Sequence, residues 1–310
     1  MKIMKLKAIL LKLMHPYEVA ERLLRALSPA IKNDELYLKI RYFLCTHQKL
    51  HLDSPLTFSE KIQWLKLYNR NPEFTKMVDK FEAKEFIKEL NIPNLKIIPT
   101  LGVWNKFEDI DFEKLPNQFV LKCTHDSGGL VICKDKSTFN LKTARKKINH
   151  SLQRNYYQWT REWPYKDVIP RIIAELYMEE PDNPELKDYK FFCFNGMAKY
   201  CQVIADRHSD ETIDFYDRDW KHQPFIGLRP TAHHALTAHH VPTKYKQMLN
   251  IADALATRIC SPFVRIDLYN INEIIYFGEI TFFPFGGHGT FKPHEWNKKL
   301  GNLIAISDNG

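Results

Sequence analysis

The chain reads as an α+β protein, and three observations in its 310 residues point there. Apolar residues recur at three-to-four spacing through most of the first 90 positions. After Pro93 the pattern changes to short apolar runs between turns. Asn195-Gly196 then separates two β-rich runs, a strong signal for a tight hairpin.

The helical part comes first. Pro16 to Leu27 and Glu35 to Leu44 carry helical apolar stripes. Thr57 or Ser59 can cap the next helix, with Glu60 well placed near its N-terminus and Ile62, Trp64, Leu65 and Tyr68 forming its buried face. A further helix is expected over Thr75–Leu90, stopping at Asn91-Ile92-Pro93.

Strands are then expected at Ile97-Ile98, Gly102–Trp104, Phe119–Lys122 and Leu130–Cys133, followed by a polar helix over about 141–153. More strands follow at Arg171–Tyr177, Tyr189–Phe194 and Lys199–Ala205. A helix over Lys244–Cys260 leads into the pair Phe263–Tyr269 and Ile274–Phe282. The expected organisation is a basic helical region (1–92), a small subdomain (93–174) and a C-terminal subdomain (175–310).

Composition narrows the function. The net charge is +8, and residues 1–50 hold +6 of it, ten Lys and Arg against four carboxylates. A nucleic-acid binder spreads basic and aromatic residues over a whole face, so none is expected as a partner. The first fourteen residues lack the apolar core of a signal peptide, and no apolar span reaches membrane length. With six scattered cysteines and no CxxC pair, a cytoplasmic location is expected. The basic N-terminus, with Lys2, Lys5 and Lys12 on one helical side, either packs on its own domain or touches the inner face of a membrane or a partner.

Four groups of residues carry candidate chemistry. Lys122 ends a strand and is followed by the Ser127-Gly128-Gly129 turn, so that an ammonium and backbone amides converge on phosphate oxygens. Lys80 and Lys84 share a face if both lie on one helix, the plainer reading being a solvated face. Arg265-Ile266-Asp267 and Glu279-Ile280-Thr281 place acidic groups inside apolar strands. That arrangement calls for a cation, either Mg²⁺ or Arg265 itself in a salt-bridge cluster. Glu175 and Tyr177 close another apolar strand. The near-repeat Ala232-His233-His234 and Ala238-His239-His240 offers imidazoles, but no carboxylate nearby in sequence completes a metal set.

In this order, with Phe58–Leu65, Leu115–Lys122, Asp188–Gly196 and Gly278–Phe282, these segments resemble the TupA-like ATP-grasp family of surface-polysaccharide clusters over about residues 40–305. The resemblance implies an ATP-grasp fold, two α+β subdomains clasping ATP, with basic helices where a Rossmann-like domain usually stands. It implies that Lys80, Lys122, Lys190 and the loop of Ser127, Gly128 and Gly129 contact ATP. Glu175, Leu176 and Tyr177 would form the adenine hinge. Asp267, Glu279 and Thr281 would hold Mg²⁺, Thr281 standing where the superfamily pattern has Asn, and Arg265 and Arg207 would face the reacting phosphate.

The activity implied is carboxylate–amine ligation through an acyl phosphate, with sugar-linked carboxylate and amine substrates such as a uronic acid and an amino acid. Two alternatives remain. One is a glycosyltransferase, for which Asp217-Arg218-Asp219 has Asp-x-Asp spacing although its setting reads as a turn. The other is an ATP-grasp protein that binds without turnover.

Overall fold

Two β-sheets face each other across a cleft in the computed structural model, which describes residues 16–179, 186–205, 211–229 and 233–306. Lys2, Lys5, Lys12 and Arg207 lie outside the described residues.

The helical region holds α1 (Pro16–Leu27), α2 (Asp34–Thr46) and α3 (Phe58–Tyr68). Tyr37, Leu38, Tyr42, Leu50 and Leu52 form a small core of their own here. Thr57 caps α3 in a full capping box: its hydroxyl accepts from the Glu60 amide, and the Glu60 carboxylate accepts from the Thr57 amide at 3.0 Å. Burial works against an ionised Glu60, but hydrogen bonds from the Thr57 amide and hydroxyl, His51 and the Leu56 amide outweigh it and hold its pKa below the usual value. Its contribution to stability is therefore complete above the unfolded carboxylate range and is lost as pH falls through the lower folded value. Thr57→Ala should cost about 1 kcal/mol, read as a lower urea midpoint at unchanged slope.

The helix expected over Thr75–Leu90 is broken into α4 (Phe74–Val78) and α5 (Glu82–Leu90). The Asp79 carboxylate causes the break, accepting the amides of Phe81 at 2.8 Å and Glu82 at 3.1 Å and so starting a new helix. Lys80 sits in the gap, and its amide donates to the Thr124 carbonyl. The shared helical face of Lys80 and Lys84 is thereby corrected, since only Lys84 is on a helix.

The small sheet has the order β2 (Thr100–Trp104), β5 (Ile172–Leu176), β3 (Phe119–Cys123) and β4 (Leu130–Cys133), all antiparallel. It packs on α6 (Leu141–Leu152) through Phe119, Leu121, Ala144 and Ile148. The short α7 (Tyr156–Thr160), not anticipated from sequence, leads from α6 toward β5.

The large sheet has the order β1 (Leu95–Ile97), β11 (Ile274–Thr281), β10 (Phe263–Ile271), β6 (Asp188–Phe194), β7 (Met197–Ala205) and β8 (Thr212–Tyr216). Helix α8 (Tyr245–Ile259) covers one face, and Phe58 of α3 meets Phe263 edge-on at 4.9 Å on the other. Because β1 pairs with β11 and β5 runs to Leu176, the chain changes sheets near Ile98 and after Leu176 rather than at 93 and 175. Asn195 and Gly196 both take positive φ, as the tight hairpin turn requires. A short pair, β9 (Ile226–Gly227) with β12 (Phe291–Lys292), and the helix α9 (Glu295–Gly301) complete the described structure.

Candidate functional site

One row of side chains crosses four strands of the large sheet on its cleft face. Glu279 on β11 pairs with Asp267 on β10, Asp267 with Lys190 on β6, and Lys190 with Gln202 on β7. Directly paired residues on neighbouring strands share a face. The pairing of Asp267 with Glu279 depends on a bulge at Gly278: from Ile271–Ile274 to Leu268–Phe277 the hairpin register is regular, and then it slips by one residue. Without that slip Glu279 would lie opposite Ile266 and turn to the other face. Glycine suits the bulge, because a Cβ there would stand 2.9 Å from the Asp267 carbonyl oxygen.

Arg265, opposite Thr281, binds the row together. It donates to both oxygens of Asp267 at 2.7 and 2.8 Å, to Glu279 at 2.9 Å and to Thr281 Oγ1 at 3.0 Å, while Lys190 Nζ also donates to Asp267. Burial raises the pKa of Asp267 in spite of these cations. Glu279, its side chain about half exposed, goes the other way: desolvation opposes its ionisation, but Lys190, Arg265 and Lys80 outweigh it and bring its pKa down to about 2. Two hard carboxylates side by side, with a hydroxyl at Thr281, are the donor types that Mg²⁺ takes from a protein, so this set fits that ion.

The opposing wall comes from the small sheet and the helix break. Lys80 Nζ donates to the Asp126 carbonyl, and burial lowers its pKa despite Glu279 and Asp126 nearby. Lys122 contacts Glu175 at 2.5 Å. Between β3 and β4 the loop at Asp126–Gly129 is tied down by Cys123 N donating to the Gly129 carbonyl at 2.7 Å and by Ser151 Oγ donating to Asp126. The space enclosed is about 570 Å³, within the ordinary range for small-molecule sites.

A family profile described as TupA-like ATPgrasp matches residues 60–305. The chain belongs to the TupA-like ATP-grasp family. No curated protein matches it. Among solved structures it is similar to the D-alanine–D-alanine ligase of Bacillus anthracis complexed with ATP, at 16% identity and TM-score 0.38, covering 67% of this chain and 54% of that one. It is also similar to the D-alanine–D-alanine ligase of Helicobacter pylori, at 12% identity and TM-score 0.43, covering 80% and 69%. The ADP complex of an N5-carboxyaminoimidazole ribonucleotide synthetase matches at 12% identity and TM-score 0.43, covering 72% and 50%. The chain thus spans about half to two thirds of the structures it resembles.

Of the residues the sequence nominates in this ATP-grasp chain, Lys80, Lys122, Ser127, Gly128, Gly129, Glu175, Lys190, Arg265, Asp267, Glu279 and Thr281 all line the cleft. Leu176 and Tyr177 are not among the lining residues: the Leu176 amide donates to the Pro99 carbonyl, and Tyr177 lies under Lys134. Lys84 departs from the solvated-face reading. It is buried, paired with Glu175 and donating to the Ile98 carbonyl at 2.8 Å.

Sequence reasoning missed the far end of the cleft, where Arg41 of α2, Trp159 and Glu162 are lining residues. Burial raises the pKa of Glu162 and lowers that of Lys66 beside it. The only sequence trace of this end is the Arg161-Glu162 pair embedded in the aromatic run Tyr156–Trp163.

Gly129 is the crowded glycine of the loop: a Cβ there would stand 2.3 Å from Ser151 Oγ and 2.7 Å from Asp126 Oδ1. Gly129→Ala should therefore cost about 1–3 kcal/mol in urea unfolding by forcing that network apart. Gly128→Ala meets no atom within 4 Å, so its loss should come from the positive φ of 107° alone, about 1–3 kcal/mol of backbone strain.

Proposed function

We propose that the protein is an ATP-dependent ligase that activates a carboxylate as an acyl phosphate and joins it to an amine. The observation that carries this reading is the pairing of two walls across one cleft. Lysines and a glycine loop stand on one side, and the Glu279–Asp267–Lys190 row with Arg265 stands on the other. Phosphoryl transfer asks a protein mainly for positioned cations around a shaped site, and this cleft offers them.

On this reading Lys80, Lys122 and Lys190 hold phosphate oxygens, and the backbone at Ser127–Gly129 closes over them. Asp267 and Glu279, with Thr281 at their side, would hold Mg²⁺, which when bound offsets the charge of the phosphates. Arg265 stabilises the phosphoryl group in transit, a role that Arg207 shares. A carboxylate oxygen attacks the γ-phosphorus, the bond to the bridging oxygen breaks, and ADP leaves. The amine nitrogen then attacks the acyl carbon, phosphate departs, and the amine loses a proton. Arg41, a fixed cation, and Glu162, a carboxyl raised by burial, suit the end of the cleft where carboxylate and amine meet.

We carry the reading to a uronic acid or amino acid of a capsule or O-antigen, made in the cytoplasm, with the basic N-terminus near the inner membrane. The sequence resemblance to proteins of surface-polysaccharide clusters is what motivates the sugar-linked substrate. An ADP-release screen crossing uronic acids with amino acids tests it, and release should need both partners. Thermal stabilisation by UDP- or GDP-sugars, with none by ATP–Mg²⁺, would instead favour a glycosyltransferase. Against that alternative, Asp217 spends its carboxylate on the amides of Asp219 and Lys221, and Arg218 pairs with Asp253, all in a turn and none of them lining the cleft. Stabilisation by ATP without ADP release from any pair would make the protein a non-catalytic binder.

A further inference from the structure

Sequence alone left the histidine near-repeat without a carboxylate, and the fold provides one. Asp214 lies on β8, the edge strand of the large sheet, and its side chain is fully buried. Ile213 beside it lines the cleft, so Asp214 points to the opposite face. Three imidazoles from three places in the following segment converge on it. His222 Nε2 is 2.8 Å from Asp214 Oδ1, His234 Nδ1 is 2.8 Å from the same oxygen, and His239 Nε2 is 3.4 Å from Oδ2.

His239 Nε2 is buried and makes no hydrogen bond, although the rest of the residue is firmly placed. Its amide donates to Tyr216 Oη at 2.8 Å, and its carbonyl accepts from Trp220 Nε1 at 2.8 Å. The His222 and His234 rings meet edge-on at 4.8 Å, and each side chain is about one third exposed, which leaves a path from solvent. Asp214, His222 and His234 present ligand atoms all within 4.8 Å of one another. Burial opposes ionisation of Asp214, but the surrounding imidazoles and the Ala235 amide overcome it and hold its pKa well below the usual range.

We propose that Asp214, His222 and His234 form a binding site for a divalent transition metal of the Zn²⁺ type, separate from the cleft, with His239 beside it on the other carboxylate oxygen. Ring nitrogens and a carboxylate oxygen are the donors such ions prefer, whereas Mg²⁺ favours oxygen. Neighbouring ligand atoms of a tetrahedral zinc lie roughly 3.3 Å apart, as follows from bonds of about 2.0–2.1 Å. The two 2.8 Å contacts to Asp214 Oδ1 need to open by only about 0.5 Å as the metal replaces their protons. Asp214, His222 and His234 supply three protein ligands, and His239 Nε2 stands 3.4 Å from the other carboxylate oxygen. The effect of the site is to pin the largely irregular segment between β8 and α8 onto an edge strand, and Leu228 and Arg229 of that segment line the cleft.

The test uses full-length protein without a histidine tag, stripped with a chelator and titrated with Co²⁺ and then Zn²⁺. One equivalent of Co²⁺ should give the intense visible absorption of a tetrahedral site, Zn²⁺ should bleach it, and Zn²⁺ should raise the melting temperature. His222→Ala and His234→Ala, at partly exposed positions that leave far-UV circular dichroism intact, should each weaken binding by more than about 100-fold, because loss of mere outer-shell support already costs about 10–100-fold. His240→Ala and Glu279→Gln should leave the Co²⁺ spectrum unchanged. The proposal is overturned if no tetrahedral Co²⁺ spectrum forms, if it survives His234→Ala, or if it vanishes in Glu279→Gln, which would place the ion in the cleft.

Discussion

Glu175→Ala should lower stability by about 3–5 kcal/mol, among the largest losses expected from one substitution in this protein. Glu175 is buried at the centre of the small sheet and pairs with Lys84 and Lys122 together. Lys122 can turn to solvent when the carboxylate goes, since its side chain is 28% exposed. Lys84 has no such exit. It keeps the Ile98 carbonyl and the Thr100 hydroxyl but holds an uncompensated buried charge, and burial already lowers its pKa. The measurement is urea unfolding of the single variant beside Glu175→Ala/Lys84→Met. Removing both charges should recover most of the loss, and an equal loss in the double variant would show that the pair is not the cause. The pH dependence follows in sign. Burial opposes ionisation of Glu175, and the two lysines overcome it, so its folded pKa lies below the unfolded one. The wild type should hold this stability above about pH 4.5 and lose it as pH falls through the folded value, while Glu175→Ala should show a flatter profile there.

The elements were legible where a local signal coincides with a tertiary need. Thr57 and Glu60 start α3, Asn195-Gly196 turns β6 into β7, and the apolar runs of β3, β5, β6 and β10 fall where periodicity places them. The cleft was legible because most of its chemistry sits at strand ends and in-strand charges, which are costly without a shared purpose. What escaped was set by distance along the chain. Asp79 breaks a helix whose apolar stripe runs on unbroken, because its carboxylate competes for the next amides. The far end of the cleft draws Arg41 from one region and Glu162 from another 121 positions away, and no motif spans that gap. Asp214 lies eight residues before His222 and twenty before His234, and only the return of the chain across β8 brings them together.

The bulge at Gly278 shows how little separates a site from a non-site. A glycine inside a strand pattern is a bulge signal, but the direction of the slip depends on which face the sheet must bury. Here Ile266, Leu268, Ile275 and Phe277 are all buried, and the slip between Leu268 and Asp267 is what lets an apolar hairpin end in a charged row facing the cleft. Gly278 and the row are one feature, since filling the bulge with a side chain would push on the Asp267 backbone itself.

The second large effect is expected at that row. Asp267 is held by Arg265 through two hydrogen bonds and by Lys190 through another, so these charges are already paired within the cleft. On the ligase reading, Mg²⁺ and triphosphate arriving together exchange these pairs for new ones, with Arg265 and Lys190 turning to phosphate and the carboxylates to the ion. Asp267→Asn removes the carboxylate that both cations share, leaving Arg265 with Glu279 and Lys190 with Asp188 at 3.6 Å. Two consequences follow with opposite signs. Triphosphate without magnesium should bind the variant better than wild type, because the cleft has gained a positive charge. ADP release should fall by about 10³-fold or more, because several kcal/mol of charge compensation at the transferring phosphate disappears. Thermal shift with ATP, with and without Mg²⁺, reads the first, and coupled ADP release reads the second. Arg265→Lys separates charge from geometry: it retains one positive charge but cannot span both oxygens of Asp267, so release should fall while the magnesium dependence of binding stays. A variant Asp267→Asn whose ATP affinity still rises with Mg²⁺ as in wild type would remove this carboxylate from the metal site and leave it as Arg265's anchor.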